Sequence, residues 1–488
     1  MSPPMISKAA ARYTGAGGKE HCSLCRHFSP RRGGRCARVL GDISPRGWCK
    51  LFSREMRGLI ADASSFNGGG GGPSLSLDFM TPGTLDPRLT FTRASTATYF
   101  DSAGVMRTAA TNAPRWDYDP ATLALRGLLL EDARTNALFP SVIGGANWTP
   151  LGNVVLGGSI TLPDGTASTT ALIRSQDTAN TARQFYRTGT VITATTAYTV
   201  SAYFKASPNN AYIQANASGG TTIAGVAYFD LTAGTAVVGA DLAAGMTAKS
   251  AAITNAGNGW WRCSFTFTTV AGNNALQVAV GPCVTVSASG DNRSYVGVVG
   301  QGIYAWGAQV EAGAFATSYI PTTSAAVTRA LESATMPTSG GWFNAPAGTF
   351  FAEFSSANLP VPGTHSGILQ VNDGTSSNQL NLYLELNSGN MIFQAVIATV
   401  AQLSVTGTSG ANGNKQKVAA NYGAGVWRAA YAGTVINGSG SAAPFPATTI
   451  NLGTINPPSS WRLNGYLRNV RYYARALTDA ELQQITAP

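Results

Sequence analysis

Charge is scarce in this sequence. Asp, Glu, Lys and Arg together make up 11 % of its 488 residues, and histidine occurs 3 times. So little charge excludes the highly charged, hydrophobe-poor composition of a disordered chain. Long apolar runs are missing too. No stretch reaches the roughly 18 apolar residues that a membrane helix needs, so no membrane insertion is expected. The opening residues Met1-Ser-Pro-Pro-Met5 show no charged segment followed by an apolar run. Without that secretory pattern the protein is expected to be soluble and made in the cytoplasm. The glycine run Gly68 to Gly72 lacks the Lys-Ser/Thr ending of a phosphate-cradling loop. His365 belongs to no evident Ser/His/Asp grouping. Strand acids such as Glu353 and Glu385 have no acidic partner in a context suited to glycosidase chemistry, which uses carboxylates about 5 to 9.5 Å apart. The chain is therefore not expected to be an enzyme.

What the sequence does have is 56 glycines among many Thr, Ser, Asn and Ala residues. That composition predicts a mainly β protein of short strands and tight turns. The length is too great for one ordinary domain and predicts several units. The net charge of +10 is concentrated at one end: residues 1–60 hold twelve Lys/Arg against three acids, while the remainder is close to neutral. A basic head of this kind suits an acidic protein partner better than nucleic acid.

Read from end to end, the sequence divides into a head (1–66), a Gly-rich linker (67–73), a β-rich adaptor (74–139) and two β-sandwiches (140–322 and 323–488). The linker rests on Gly68–Gly72 followed by Pro73. In the adaptor, short apolar groups (Leu75, Leu77 and Phe79; Leu89 and Phe91; Leu128 to Leu130) are separated by turn signals such as Asp86-Pro87 and Asp119-Pro120. Half-buried strands are predicted at Ala197-Tyr-Thr-Val-Ser-Ala-Tyr-Phe204 and from Trp260 to Thr269. Cys263, Phe265 and Phe267 alternate with polar residues, and Leu276, Val278 and Val280 alternate with smaller ones. A two-residue turn at Gly272-Asn273 would join them as a hairpin, pairing Phe265 with Val280 and Phe267 with Val278. In that register Cys263 and Cys283 fall out of phase, which predicts two buried free thiols. The second sandwich is expected to have strands near Gly348–Phe354, Leu380–Leu386 and Asn464–Tyr473, and to end in a short helix with a Thr478/Glu481 capping box.

The other four cysteines, Cys22, Cys25, Cys36 and Cys49, read C-x2-C-x10-C-x12-C. Four clustered cysteines in a protein made in the cytoplasm favour metal over disulfides. Zinc is the alternative ion, although zinc ribbons usually bring two C-x2-C knuckles. Gly47-Trp48-Cys49 with Leu51 and Phe52, Cys22-Ser-Leu-Cys25 with Phe28, and the upstream Ala9-Ala-Ala-Arg-Tyr13 resemble high-potential iron–sulfur proteins over roughly residues 5–55. The resemblance implies a [4Fe–4S] cluster held by the four cysteines and walled from water by Tyr13, Phe28, Trp48 and Phe52. Fixed to so large a β-body, the cluster is expected to staple a head too small to fold on its own core. Arg31, Arg32 and Arg35, between the second and third cysteines, are the expected docking residues.

The body carries resemblances of its own. Leu89-Thr-Phe-Thr-Arg-Ala-Ser-Thr-Ala-Thr-Tyr-Phe100, Arg126-Gly-Leu-Leu-Leu-Glu-Asp-Ala-Arg-Thr-Asn136, and Ala305-Trp-Gly-Ala-Gln-Val-Glu311 with Thr317-Ser-Tyr-Ile-Pro321 resemble segments recurring in tailed-bacteriophage fibre and spike proteins. The last also resembles the final strand of jelly-roll carbohydrate-binding modules. Gly465-Tyr-Leu-Arg-Asn-Val-Arg-Tyr-Tyr473 with Ala476-Leu-Thr-Asp-Ala-Glu-Leu482 resembles a concanavalin/laminin-G-type sandwich. These resemblances imply a virion fibre or spike protein, commonly an oligomer and first of all a trimer. Its head would dock on other virion proteins, and its sandwiches would touch host surface glycans. A capsid or tail decoration protein and an electron-transfer protein are the alternatives. Trp148, Trp260, Trp342 and Trp461 are the candidate sugar-stacking residues, since an aromatic face suits a pyranose; a strand tryptophan is otherwise a core residue.

Overall fold

The structure, a computed structural model, describes residues 71–243, 245–356, 365–385, 388, 390–407, 415–423, 427–438, 445–455 and 461–488, with the backbone of three short strands nearer the N-terminus. The chain forms two compact units, Met1–Pro73 and Ser74–Pro488. In the first, Phe28–Ser29, Arg35–Cys36 and Val39–Asp42 make a three-stranded antiparallel sheet. Its register sets Phe28 opposite Cys36 and Arg35 opposite Asp42.

The second unit is almost entirely β and holds two sandwiches. Two six-stranded sheets form the first. One is centred on Ala197–Ser207, flanked by Trp261–Thr268 and Gly302–Ala312. The other is centred on Ala275–Cys283 and Asn210–Ser218. Val200, Ala202, Phe204, Phe265 and Phe267 from one sheet meet Ile213, Ala215, Val278 and Val280 from the other in a single buried cluster. Alternation supplies these faces, because successive strand residues point to opposite sides. Burying each large apolar side chain contributes roughly 1.5–3 kcal/mol.

The predicted hairpin is corrected here. Trp261–Thr268 pairs with Ala197–Ser207 and Thr247–Asn255, whereas Ala275–Cys283 pairs with Gln184–Val191 and Asn210–Ser218. The two strands lie in opposite sheets, and the turn between them crosses the sandwich. Asn273 N donates to Val270 O over a tight turn whose third residue, Gly272, has φ +84°. Alternation requires that Phe265 and Val280 face the core, and facing sheets satisfy this as well as one hairpin does. Cys263 and Cys283 are buried free thiols, each on its own sheet. Burial pushes both thiols above their ordinary value.

The second sandwich is assembled from both ends of this unit, which corrects the reading of 74–139 as a separate adaptor. Leu75–Asp78 and Leu125–Leu130 both pair with Gly465–Tyr473 in an eight-stranded sheet, and Trp116–Tyr118 extends it. Thr90–Thr92 is the edge strand of the facing seven-stranded sheet, paired with Ser333–Pro337. Leu75, Leu77, Phe91, Leu128 and Leu130 share one core with Phe350, Phe354, Leu369, Phe393 and Leu467. Helix Asp479–Thr486 closes the chain. Thr478 accepts from Glu481 N, and Glu481 accepts from Thr478 N, the predicted capping box.

Between the sandwiches lies a buried ion network. Arg115 reaches both oxygens of Glu332 and one of Glu131; Arg93 holds Glu332, and Arg329 approaches Glu131. Ser318 donates to Glu131 through its amide at 2.9 Å and its hydroxyl at 2.6 Å. Asn136 donates to Ile320 O and accepts from Val310 N. Burial alone would raise the Glu131 carboxyl, but Arg329, Arg115 and the Ser318 hydrogen bonds outweigh it and hold it at about 2. The three body segments singled out in the sequence all converge here: Arg93 comes from the first, Glu131 and Asn136 from the second, and Val310 and Ser318 from the third.

Candidate functional site

The four tryptophans part company in the structure. Trp260 is 1 % exposed, packs with Tyr203, Trp306 and Tyr319, and donates its indole N–H to Thr161 O at 3.1 Å. Trp148 is buried and donates to Pro140 O at 3.0 Å. Trp342 is buried edge-on against Tyr472, and its N–H donates to Pro337 O at 3.2 Å. A ring enclosed by core neighbours offers no face to a ligand, so these three are core residues and not sugar contacts. Trp461 differs. It is half-buried and lines a cleft of about 320 Å³ on the outer face of the seven-stranded sheet.

This cleft is built by strand alternation. Inward positions of Ser366–Asn372, Gln379–Leu384 and Met391–Ile397 carry Leu369, Val371, Leu380, Leu382, Phe393 and Ala395 to the core. The alternate positions carry Gln370, Asn372, Gln379, Asn381 and Gln394 to the face turned away from that core, where the first four are buried and Gln394 is half-buried. Asn381 is in register with Gln370 on one side and with Gln394 on the other. The amides bond to one another. Gln370 Nε2 donates to Gln379 Oε1 (3.0 Å) and Asn381 Oδ1 (3.1 Å), and Gln370 Oε1 accepts from Asn372 (2.8 Å) and Asn451 (2.8 Å). Such a network fixes each amide's direction before any ligand arrives. Beside it stands an aromatic wall: Trp461 lies 5.0 Å from Tyr383 and 4.2 Å from His365 between ring centroids. Burial holds His365 below its ordinary value, with Glu385 acting the other way, which favours the neutral imidazole at pH 7.

Alternation of amide and apolar residues in Gln379-Leu-Asn-Leu-Tyr-Leu384 is a signal that could have found this site from sequence. Glu353, the other strand acid noted there, is held by Asn469 at 2.8 Å and paired with Arg468 and Lys415.

A smaller cavity of about 170 Å³ lies near the ion network, lined by residues including Asp117, Arg126, Tyr203, Arg262 and Tyr466. Its polar groups largely satisfy one another: Tyr466 donates to Asp117 at 2.9 Å, Arg126 to Asp119 at 2.9 Å, and Arg262 to Ser201 at 2.7 Å. Tyr13, Cys22, Cys25, Arg31, Arg32, Trp48, Cys49 and Phe52 lie outside the described residues. Phe28, Arg35 and Cys36 are described as backbone alone.

Comparison with protein families gives no match. Among curated proteins, an iron oxidase of Acidithiobacillus ferrooxidans is 44 % identical over 48 residues, which is 10 % of this chain and 51 % of that protein. The chain thus spans about half the length of the curated relative it matches. Among solved structures, the CBM40 of the Ruminococcus gnavus IT-sialidase bound to α2,3-sialyllactose is similar at 15 % identity and TM-score 0.25. That match covers 30 % of this chain and 84 % of the other. Domain 4 of AbnA, a GH43 extracellular arabinanase from Geobacillus stearothermophilus, in complex with arabinotriose, is similar at 13 % identity and TM-score 0.26, covering 35 % and 82 %. Structural similarities of this size carry no function.

Proposed function

We propose that this protein is a tailed-bacteriophage fibre or spike protein whose β-body binds host surface glycans and whose basic head anchors it to other virion proteins. The observation that carries the binding part is the cleft of aligned amides beside Trp461. A sugar offers hydroxyls that both donate and accept, and ring faces that are largely C–H. An amide row matches the first and an indole ring the second. The virion part is supported by the three body segments that resemble fibre and spike proteins. Their place at a buried junction gives such segments a reason to recur, since a clamp between sandwiches tolerates few substitutions.

For the head, the proposal is a [4Fe–4S] cluster held by Cys22, Cys25, Cys36 and Cys49, with zinc as the alternative occupant. Bound there, the cluster would serve as a staple, with its potential set by the surrounding apolar shell. A trimer is the proposed assembly, and the virion the proposed location. A second reading, an electron-transfer protein, is favoured by the short similarity to an iron oxidase. Two measurements test these proposals. Residues 74–488, added in excess, should block adsorption of the phage to its host. Protein purified without oxygen should contain about four iron per chain. A fragment that leaves adsorption unchanged would remove the receptor-binding role, and one tightly held zinc ion would remove the cluster. Electron exchange with a partner at a useful rate would favour the second reading.

A further inference from the structure

We propose that the Trp461 cleft selects uncharged glycans and discriminates against sialylated and other anionic ones. The inference rests on the glycan-binding reading of the cleft and names its ligand class.

The cross-strand register carries the case. One row of the seven-stranded sheet runs through Thr90, Thr335, Asn451, Gln370, Asn381, Gln394 and Ser404, one residue from each strand. Every member is polar and none is charged. The adjoining row, from Thr449 through Asn372, Gln379 and Val396 to Ala401, is also uncharged. The described residues lining the cleft are Ser, Thr, Gln, Asn, Val, Ala, Ile and Trp.

An anionic sugar needs more than this. Its carboxylate only accepts, and removing it from water is costly unless a cation or several charge-assisted donors replace the water. The amides cannot supply that. Each brings an acceptor with every donor, and in this network many donors are already engaged with neighbouring amide oxygens. Charged side chains near the ends of the central strands have the wrong sign. Asp373 sits in the turn after Ser366–Asn372, where it accepts from Thr375 and Asn378. Glu385 follows Gln379–Leu384 and accepts from Ser388. Neither lines the cleft, and neither offers a carboxylate a cation. Arg462, next to Trp461, donates to Thr454, and burial favours the neutral form of His365 at pH 7. Hydroxyl groups, which reverse donor and acceptor by rotation, fit an amide row without any net charge.

The test is calorimetry and a glycan array on the full chain. Matched probes are used: lactose and N-acetyllactosamine oligomers beside their α2,3- and α2,6-sialylated forms, with variants Trp461→Ala, Gln394→Ala and Gln394→Arg. A neutral glycan should bind at least about tenfold more tightly than its sialylated counterpart. Trp461→Ala and Gln394→Ala should each weaken it by about tenfold. Gln394→Arg should narrow the gap by favouring the sialylated form. Melting curves confirm that each variant is folded. Sialylated glycans binding as well as or better than their neutral parents, with Trp461 required, would overturn the selectivity and leave the glycan-binding reading standing. Binding by neither class, or binding that Trp461→Ala does not change, would overturn that reading itself.

Discussion

Arg115 and Glu332, 217 residues apart in sequence, meet in two parallel hydrogen bonds of 2.8 and 2.6 Å with both side chains fully buried. Glu332 also accepts from Arg93 at 2.8 Å and from the backbone of Glu131 at 3.0 Å. Replacing one partner of such a pair leaves buried charge uncompensated, which costs more than the intact pair contributes. Glu332→Gln is therefore expected to destabilise residues 74–488 by about 3–5 kcal/mol. Denaturant unfolding followed by tryptophan fluorescence measures this, and a change within the scatter of surface substitutions would mean that the junction is not held by its charges.

The same network sets a response to acid. Glu131 titrates at about 2 in the fold, against 4.5 for an ordinary glutamate. Its folded value is the lower one, so its stabilising contribution is complete above pH 4.5 and is lost as pH falls toward 2. Melting temperatures of residues 74–488 should fall through that window. In Glu131→Gln the protein should start less stable at pH 7 and lose less between pH 4.5 and 2. Parallel acid profiles for the two proteins would show that other carboxylates govern the transition.

Two tryptophans should separate stability from binding. Trp260 is enclosed, and Trp260→Ala is expected to cost about 3–5 kcal/mol, the usual range for emptying a large aromatic site. Glycan affinity should be unaltered below the melting transition. Trp461 is half-exposed at the cleft, so Trp461→Ala should lose affinity with a much smaller change in melting temperature. The paired measurement is calorimetric unfolding and glycan binding on both variants.

Much of the fold was legible because alternation is local. Ala197–Ser207, Ala347–Ser356, Gly465–Tyr473 and the capped terminal helix lie within a few residues of where the pattern puts them. Pairing is not local, and there the pattern misled. Phe265 and Val280 had to share a core, but period-two alternation cannot tell a hairpin partner from a facing sheet. For the same reason Leu75–Asp78 read as adaptor, although its partner is Gly465–Tyr473 at the far end of the chain. At the cleft, tryptophan as a residue type says little about exposure. The informative signal was the absence of charge from the outward positions of Gln379-Leu-Asn-Leu-Tyr-Leu384.

This topology dictates where the chain can be cut. Residues 74–488 contain every strand of both sandwiches among the described residues and should melt cooperatively. Residues 140–488 lack Leu75–Asp78, Thr90–Thr92, Trp116–Tyr118 and Leu125–Leu130. Their loss would expose Tyr472, Leu467 and Met336, all buried here, and would remove Arg115 and Glu131 from the ion network. The shorter fragment is expected to aggregate or to melt without a cooperative transition, as seen by calorimetry. A well-folded 140–488 would restore the view of 74–139 as a separate adaptor.

The last prediction concerns docking by the head. Residues 1–60 carry a surplus of nine positive charges, while the whole chain carries +10. Charge so placed should act on association more than on the fold of a neutral body. Arg31, Arg32 and Arg35 lie between the second and third cysteines, flanked by Pro30 and by Gly33 and Gly34. Under the proposed virion and cluster reading two roles compete: contact with an acidic virion surface, or local balance of the negative charge a cluster would carry. Replacing all three with Ser separates them, with iron content and incorporation into particles measured on the same preparations. If the arginines dock, iron is retained and incorporation falls, and added salt weakens binding of the unmodified head because it screens exposed pairs. If they balance the cluster, iron is lost and incorporation falls only in proportion to that loss. Full incorporation with full iron would remove this stretch from the docking surface.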